Sequence, residues 1–341
     1  MVIFGAGASY DSSDTFRPPT PGSDMECRPP LADELFQQRA FFDPWVRQYP
    51  DCTTVITRLR RHENSTLEAE MERLRVQAER DDHRAAELHA IKYYLRRVLW
   101  NCGEQWLLKT SGVTNYAQLL GEIRLWRDSH PGEEVRFVTF NYDTLLEDAC
   151  RRALRMEIQT ISGYVSRIYK VYKPHGSVNW VRTLDDSMGV KTSNVEESII
   201  ALGTSLSLSS GYHVVTTSDQ THFERHYTYP ALALPVNTKL SFECPDDHLA
   251  QMQADIPAVT KLLVIGWRAM EPHFLDFWKQ PRLTSVPDKI SKIAIVAGNL
   301  VAAEHVQNQL RASGAEGRFL LSKGGFSEFV TGSELEDFLA D

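Results

Sequence analysis

Val2-Ile3-Phe4 running into Gly5-Ala6-Gly7-Ala8-Ser9 is the stretch whose reading decides the fold. Three apolar residues in a row, two of them β-branched, read as a short buried strand, and the glycines that follow read as a tight turn. Such a turn brings successive backbone amides against a diphosphate, with the Ser9 hydroxyl as an added donor. Tyr10 stands where the third glycine of the full dinucleotide fingerprint belongs, so a plain tight turn is the competing reading. A strand that begins at the second residue leaves open whether the native start lies at Met1 or upstream.

Working outward, the same alternation of buried strand and helix returns later in the chain. Residues 135–140 form a compact β-branched and aromatic run, and residues 143–154 after it have helical character. Residues 262–265 precede Gly266, residues 293–297 precede Gly298 and Asn299, and residues 302–310 read as a helix. Continuous apolar runs alternating with helices predict an α/β fold, a Rossmann-like parallel sheet with helices on both faces.

The chain between the first strand and residue 135 has a different character. Pro18, Pro19, Pro21, Pro29 and Pro30 make residues 17–30 a loop. Leu88, Ile91, Leu95, Val98 and Leu99 then recur at helical spacing, as do Leu119, Leu120, Ile123 and Trp126. The expected organisation is a Rossmann-like domain over 1–30 and 129–341 that carries a helical insertion over 31–128. Residues 182–230, rich in Ser, Thr and Asp, are less regular and read as loops, with strands among them left unplaced.

Composition narrows the function classes. The chain has 341 residues, 42% hydrophobic and 24% charged, enough to bury a sizeable core. A net charge of −8 offers no general attraction to nucleic-acid phosphates or anionic lipid, so neither is an expected partner. Arg58, Arg60 and Arg61 read as a solvated helix face. No apolar run approaches the roughly 20 residues that cross a bilayer, and no signal segment opens the sequence, which predicts a cytoplasmic location. The five cysteines are scattered, so neither a disulfide framework nor a paired-cysteine zinc site is encoded.

Two further motifs carry chemistry. Thr139-Phe140-Asn141-Tyr142-Asp143 closes a buried strand at the edge where open α/β sheets place ligands. There an amide side chain can orient a ribose hydroxyl or a water, and a carboxylate can hold an amide; the plainer reading makes Asp143 a helix cap and Asn141 a turn residue. Lys173-Pro174-His175-Gly176-Ser177 follows a candidate strand at 168–172. A histidine on such a restricted loop suits a general base near neutral pH, against the plainer reading of a surface residue.

Together these segments resemble the sirtuin-like NAD-consuming family, in particular its bacterial branch associated with defence against phage. The carriers are Gly5 to Ser9, Pro29-Pro30-Leu31, Phe140-Asn141-Tyr142-Asp143, Lys173 to Ser177 and Val264-Ile265-Gly266-Trp267, with similar segments at 230–235 and Glu271-Pro272-His273. The resemblance implies that Gly5, Ala6, Gly7 and Ser9 contact the ADP moiety of NAD and that Asn141 orients the nicotinamide ribose or the attacking water. It places Asp143 near the carboxamide, makes His175 the catalytic base, has Gly266 close the dinucleotide site and offers Asn299 as an adenosine-ribose contact. Gly203-Thr204-Ser205-Leu206 echoes a nucleotide loop of that family, and its place among irregular segments favours coincidence.

One departure bears on the activity. Deacylating members carry two pairs of closely spaced cysteines for zinc, whereas the nearest cysteines here, Cys27 and Cys52, are 25 residues apart. Water is then the expected acceptor. The resemblance implies an NAD+ glycohydrolase that takes NAD as substrate without a metal, releases ADP-ribose and nicotinamide, and acts as an antiviral, abortive-infection effector. A homo-oligomer or a partner such as a HerA-like ATPase or a short Argonaute is implied as its restraint. Alternatives are a protein deacylase or ADP-ribosyltransferase, and a non-catalytic module that senses NAD or ADP-ribose.

Overall fold

The computed structural model describes residues 1–18, 26–61, 67–185, 190–191, 193–235, 242–284 and 289–340. Pro19 and Pro21 of the proline-rich loop lie outside the described residues. In chain order the strands are β1 (Val2–Phe4), β2 (Val135–Thr139), β3 (Tyr169–Tyr172), β4 (Gly176–Leu184), β5 (Leu208–Val214), β6 (His222–Phe223), β7 (His226–Leu232), β8 (Lys261–Ile265), β9 (Lys292–Val296) and β10 (Arg318–Ser322). The helices of the first half are α1 (Ala6–Tyr10), α2 (Asp43–Gln48), α3 (Thr53–Arg61), α4 (Leu67–Ala78), α5 (Asp82–Lys109) and α6 (Asn115–Ser129). Those of the second half are α7 (Leu145–Ala149), α8 (Val195–Ile200), α9 (Asp246–Asp255), α10 (Pro272–Thr284), α11 (Leu300–Ala312), α12 (Gly325–Thr331) and α13 (Glu334–Leu339).

Six strands form one parallel sheet in the order β10-β9-β8-β1-β2-β3. The chain starts at the centre, winds out through β2 and β3, and returns to build β8, β9 and β10 on the other side of β1. That reversal puts the topological switch point at the carboxyl ends of β1 and β8, the place where doubly wound sheets bind ligands. Alternate side chains serve opposite faces, as the pleat requires. Val2, Phe4, Leu263 and Ile265 pack with α6, α7, α12 and α13, whereas Ile3, Leu262 and Val264 pack with α9, α10 and α11. Both faces are covered, and this is why these strands read as unbroken apolar runs.

Residues 31–128 divide between two cores. Helix α5 starts on Asp81, whose carboxylate accepts the amides of His83 (2.9 Å) and Arg84 (3.2 Å). Its Ile91, Tyr94, Leu95 and Val98 join α3, α4, β4 and β7 in a core separate from the parallel sheet, while Trp106 reaches the sheet core. Helix α6, capped by Thr114, sets Tyr116, Leu119, Leu120 and Ile123 on one face and lays them on the parallel sheet. Burying each of the three aliphatic side chains contributes roughly 1.5–3 kcal/mol.

The reading of 182–230 as loops is corrected. Strands β4 to β7 form an antiparallel sheet in the order β5-β4-β7-β6, with register shifts along β4. β5 is only partly buried and carries Ser209, Ser210 and Gly211, so no alternation of apolar and polar residues marks it. Its pairing with β4 spans a long stretch of chain, which a local pattern cannot register.

Candidate functional site

Every candidate lies at the carboxyl edge of the parallel sheet. Gly5 follows β1, Asn141 and Asp143 follow β2, Lys173 and His175 follow β3, Gly266 follows β8 and Asn299 follows β9. Side chains scattered over nearly 300 residues therefore share one rim.

The glycine turn is packed against the β8 turn. The Gly5 amide donates to Ile265 O and the Gly7 amide to Gly266 O, both at 3.0 Å, and the Ala8 amide donates to Gly5 O at 2.9 Å. Three amides expected to face a diphosphate thus have acceptors within the protein. Gly266 has φ +60°, and a Cβ there would lie 2.2 Å from the Ala8 nitrogen and 2.4 Å from the Gly7 carbonyl carbon. The absence of side chains is what lets the two turns touch.

Asn141 is tied to this turn. Its Nδ2 donates to Gly5 O (2.9 Å), with Ser9 Oγ at 2.9 Å and Tyr116 OH at 3.1 Å. A carbonyl only accepts, so the atom facing Gly5 O is the NH2 group, and Oδ1 accepts no hydrogen bond from the described residues. Oδ1 is therefore the atom that can receive a ribose hydroxyl or a water. Tyr116 OH also lies 3.0 Å from Ser9 Oγ, closing the triangle. The sequence held no signal for Tyr116, which sits on a helix far upstream of Asn141.

Asp143 is buried. It accepts the Leu145 amide at 3.0 Å, a turn bond just before α7, whose N-cap is Thr144, so Asp143 is not itself the helix cap. Burial raises its pKa; Lys173, the Ser9 hydroxyl and the Leu145 amide oppose the rise, and Glu147 adds to it. Because the folded-state value is raised, this group favours folding below its unfolded-state pKa, a contribution lost as pH rises through the folded value.

His175 sits where the chain leaves β3 for the second sheet. Gly176 has φ +78°, and a Cβ there would meet Ala231 O at 2.0 Å, so only glycine lets β7 cross this close to His175. The Val178 amide donates to Tyr142 O at 2.9 Å, which docks the His175 loop on the Asn141 loop. The imidazole lies 4.9 Å from the Phe140 ring and 6.1 Å from that of His273, centroid to centroid. Glu271 and His273, at the start of α10, reach this region: Trp267 Nε1 donates to Glu271 Oε2 at 2.7 Å, and the His273 ring lies beside that of His175.

The catalytic candidates are buried while other rim residues are not. His175 is 3% exposed, Asn141 6% and Asp143 7%, whereas Ala6, Gly7 and Gly266 are half-buried and Asn299 is exposed. Trp267 and Phe274 pack on Phe140, whose ring contacts His175.

Asn299 is exposed and caps α11, with Oδ1 accepting the Ala302 amide at 2.9 Å. Asn299→Ala is expected to cost about 1 kcal/mol in urea denaturation. An unchanged midpoint would remove the cap from the account of this helix. Gly203–Ser205 forms a short turn against α5, where Thr204 N donates to Asp82 at 3.1 Å, away from the parallel sheet. The echo of a nucleotide loop is thus a coincidence.

Fold and rim define an open, doubly wound α/β protein with its ligand edge at the reversal of strand order. No family model matches the sequence, and no curated protein does. Among solved structures, the chain is similar to a mutant Sir2 homologue in complex with ADP-ribose, at a TM-score of 0.42 and 13% identity, covering 99% of this chain and 90% of that one. That similarity is too slight to carry an argument, and the fold stands on the strand order described above.

Proposed function

We propose that this chain is an NAD+ glycohydrolase, cleaving NAD+ to ADP-ribose and nicotinamide with His175 and Asn141 as its catalytic residues. The observation that carries the reading is the docking of the Asn141 and His175 loops on one another beside the glycine turn. In this reading NAD lies along the rim, with its ADP portion toward Gly5, Ala6, Gly7, Ser9 and Gly266, and Asn299 at the adenosine ribose. Nicotinamide leaves with the electrons of the glycosidic bond, and positive charge develops on the ribose. Asn141 Oδ1 orients a ribose hydroxyl or the water, His175 takes the proton, and water bonds to the anomeric carbon. Asp143 holds the carboxamide.

The reading extends to an antiviral effector that depletes NAD, restrained within a homo-oligomer or by a partner such as a HerA-like ATPase. The burial of His175, Asn141 and Asp143 supports a resting state that assembly opens. Purified protein incubated with NAD, alone and assembled from cells, should release nicotinamide and ADP-ribose without added peptide, measured by chromatography. Release that depends on an acyl-lysine peptide would move the acceptor to protein. Saturable NAD binding with no turnover in either form would leave a sensor.

A further inference from the structure

The motif that carries His175 also holds a buried ammonium with no part in the reaction described above. Lys173 is 0% exposed, and its Nζ donates to the backbone oxygen of Asp143 at 2.6 Å and to Glu147 Oε1 at 2.8 Å. Glu147 Oε1 also accepts from Tyr164 OH at 3.0 Å, whereas its Oε2 is buried with no hydrogen-bond partner among the described residues. The Gly176 amide donates to Lys173 O at 3.0 Å and closes the turn that presents His175. One side chain thus joins the turn after β2 to the turn after β3.

A latch alone does not require charge. Burying an ammonium costs several kcal/mol unless it is well partnered, and an apolar side chain of similar length could fill the space. The groups that face Asp143 explain why a cation is useful there. They are Glu147 from α7, the Tyr116 hydroxyl from α6, the Ser9 hydroxyl from α1, the Cys102 thiol from α5 and Lys173 itself. Lys173 is the cation in this set, and the others are neutral or acidic.

We propose that Lys173 is a positioning residue: its ammonium latches the Asn141–Asp143 turn to the His175 turn and supplies the positive charge against which the Asp143 carboxylate works. The catalytic part of this inference rests on the NAD-cleavage reading; the charge relation does not. Burial pushes the Asp143 carboxyl up and Lys173 is the largest influence opposing it, so removing that charge makes the carboxylate harder to form. A carboxylate that must accept the carboxamide N–H sets the acid limb of the reaction, and activity falls as pH drops through its pKa.

The test titrates Asp143 directly in the full chain, by carboxyl-13C NMR of aspartate-labelled protein, with the resonance assigned by its loss in Asp143→Asn. Lys173→Met is expected to lower the acid dissociation constant of Asp143 about tenfold or more, and to move the acid limb of kcat/KM for NAD to higher pH by the same factor. Lys173→Arg keeps the charge and should hold both within about threefold. Glu147→Gln, which removes a neighbouring negative charge, should raise the acid constant, the opposite direction. A Lys173 that is only structural packing leaves the titration unmoved in Lys173→Met, and that result overturns the proposal. Should that variant fail to fold, an unmoved titration in Lys173→Gln, which removes the charge but keeps a polar side chain, overturns it equally. Shifted titrations in a protein that cleaves no NAD would uphold the charge relation and remove the reaction.

Discussion

In the proposed NAD-cleavage reaction, His175→Gln is expected to lower kcat/KM by about 10²- to 10⁴-fold, the loss that follows when a positioned base is removed. Glutamine is the informative replacement because the imidazole is buried against Phe140, and alanine would add a cavity to the chemical defect. Asn141→Ala should lose rate on a similar scale and also stability. It removes the hydrogen bonds to Gly5 O and Ser9 Oγ, which keep the Ala8 amide and the Tyr116 hydroxyl as partners, at about 1 kcal/mol. Because both residues act on one reaction step, the double variant should fall well short of the product of the single losses. The measurement is steady-state nicotinamide release, with thermal melting as the control. A His175→Gln protein that cleaves NAD within threefold of the parent would remove His175 from the mechanism.

Gly266→Ala should be strongly destabilising, costing at least about 4 kcal/mol, in the range reserved for direct steric overlap. Two effects combine. Alanine at φ +60° is itself disfavoured by about 1–2 kcal/mol. The new Cβ would also sit inside contact distance of the Ala8 nitrogen and the Gly7 backbone, neither of which can swing away as a side-chain tip could. Relief requires the β1 turn to part from the β8 turn, and that would break the hydrogen bond from Gly7 N to Gly266 O. Gly298→Ala, at the end of the neighbouring strand, is the control: nothing lies within 4 Å of its Cβ, so it should stay within about 0.5 kcal/mol of the parent. Urea denaturation of the two variants decides the matter, and equal midpoints would refute the close contact of the turns.

Local sequence made the parallel sheet legible because its strands are buried on both faces. The central strands β1, β2, β8 and β9 read as apolar runs ending in a turn residue, and the ends of β2, β8 and β9 in the structure lie within one residue of those runs; the edge strand β10, mostly half-buried, was not read. The rim was legible for the same reason, since the residues after those strands had to share one edge once the strands were parallel. Residues 182–230 offered no such run; β5, with its serines and its exposed face, resembles a solvated loop until it is paired with β4.

By itself, then, the sequence determined that a doubly wound sheet would form and which turns would border its carboxyl edge, because hydrophobic periodicity and glycine placement act over a few residues. Tertiary structure alone decided that Tyr116 would complete the hydrogen bonding of Asn141, that Lys173 would be buried between Asp143 and Glu147, and that Trp267 would stack on Phe140 beside His175. Those outcomes depend on side chains brought together from far apart along the chain. Hydrogen bonds and charge pairs of that kind exist only after the backbone has fixed direction and distance, which no local pattern encodes.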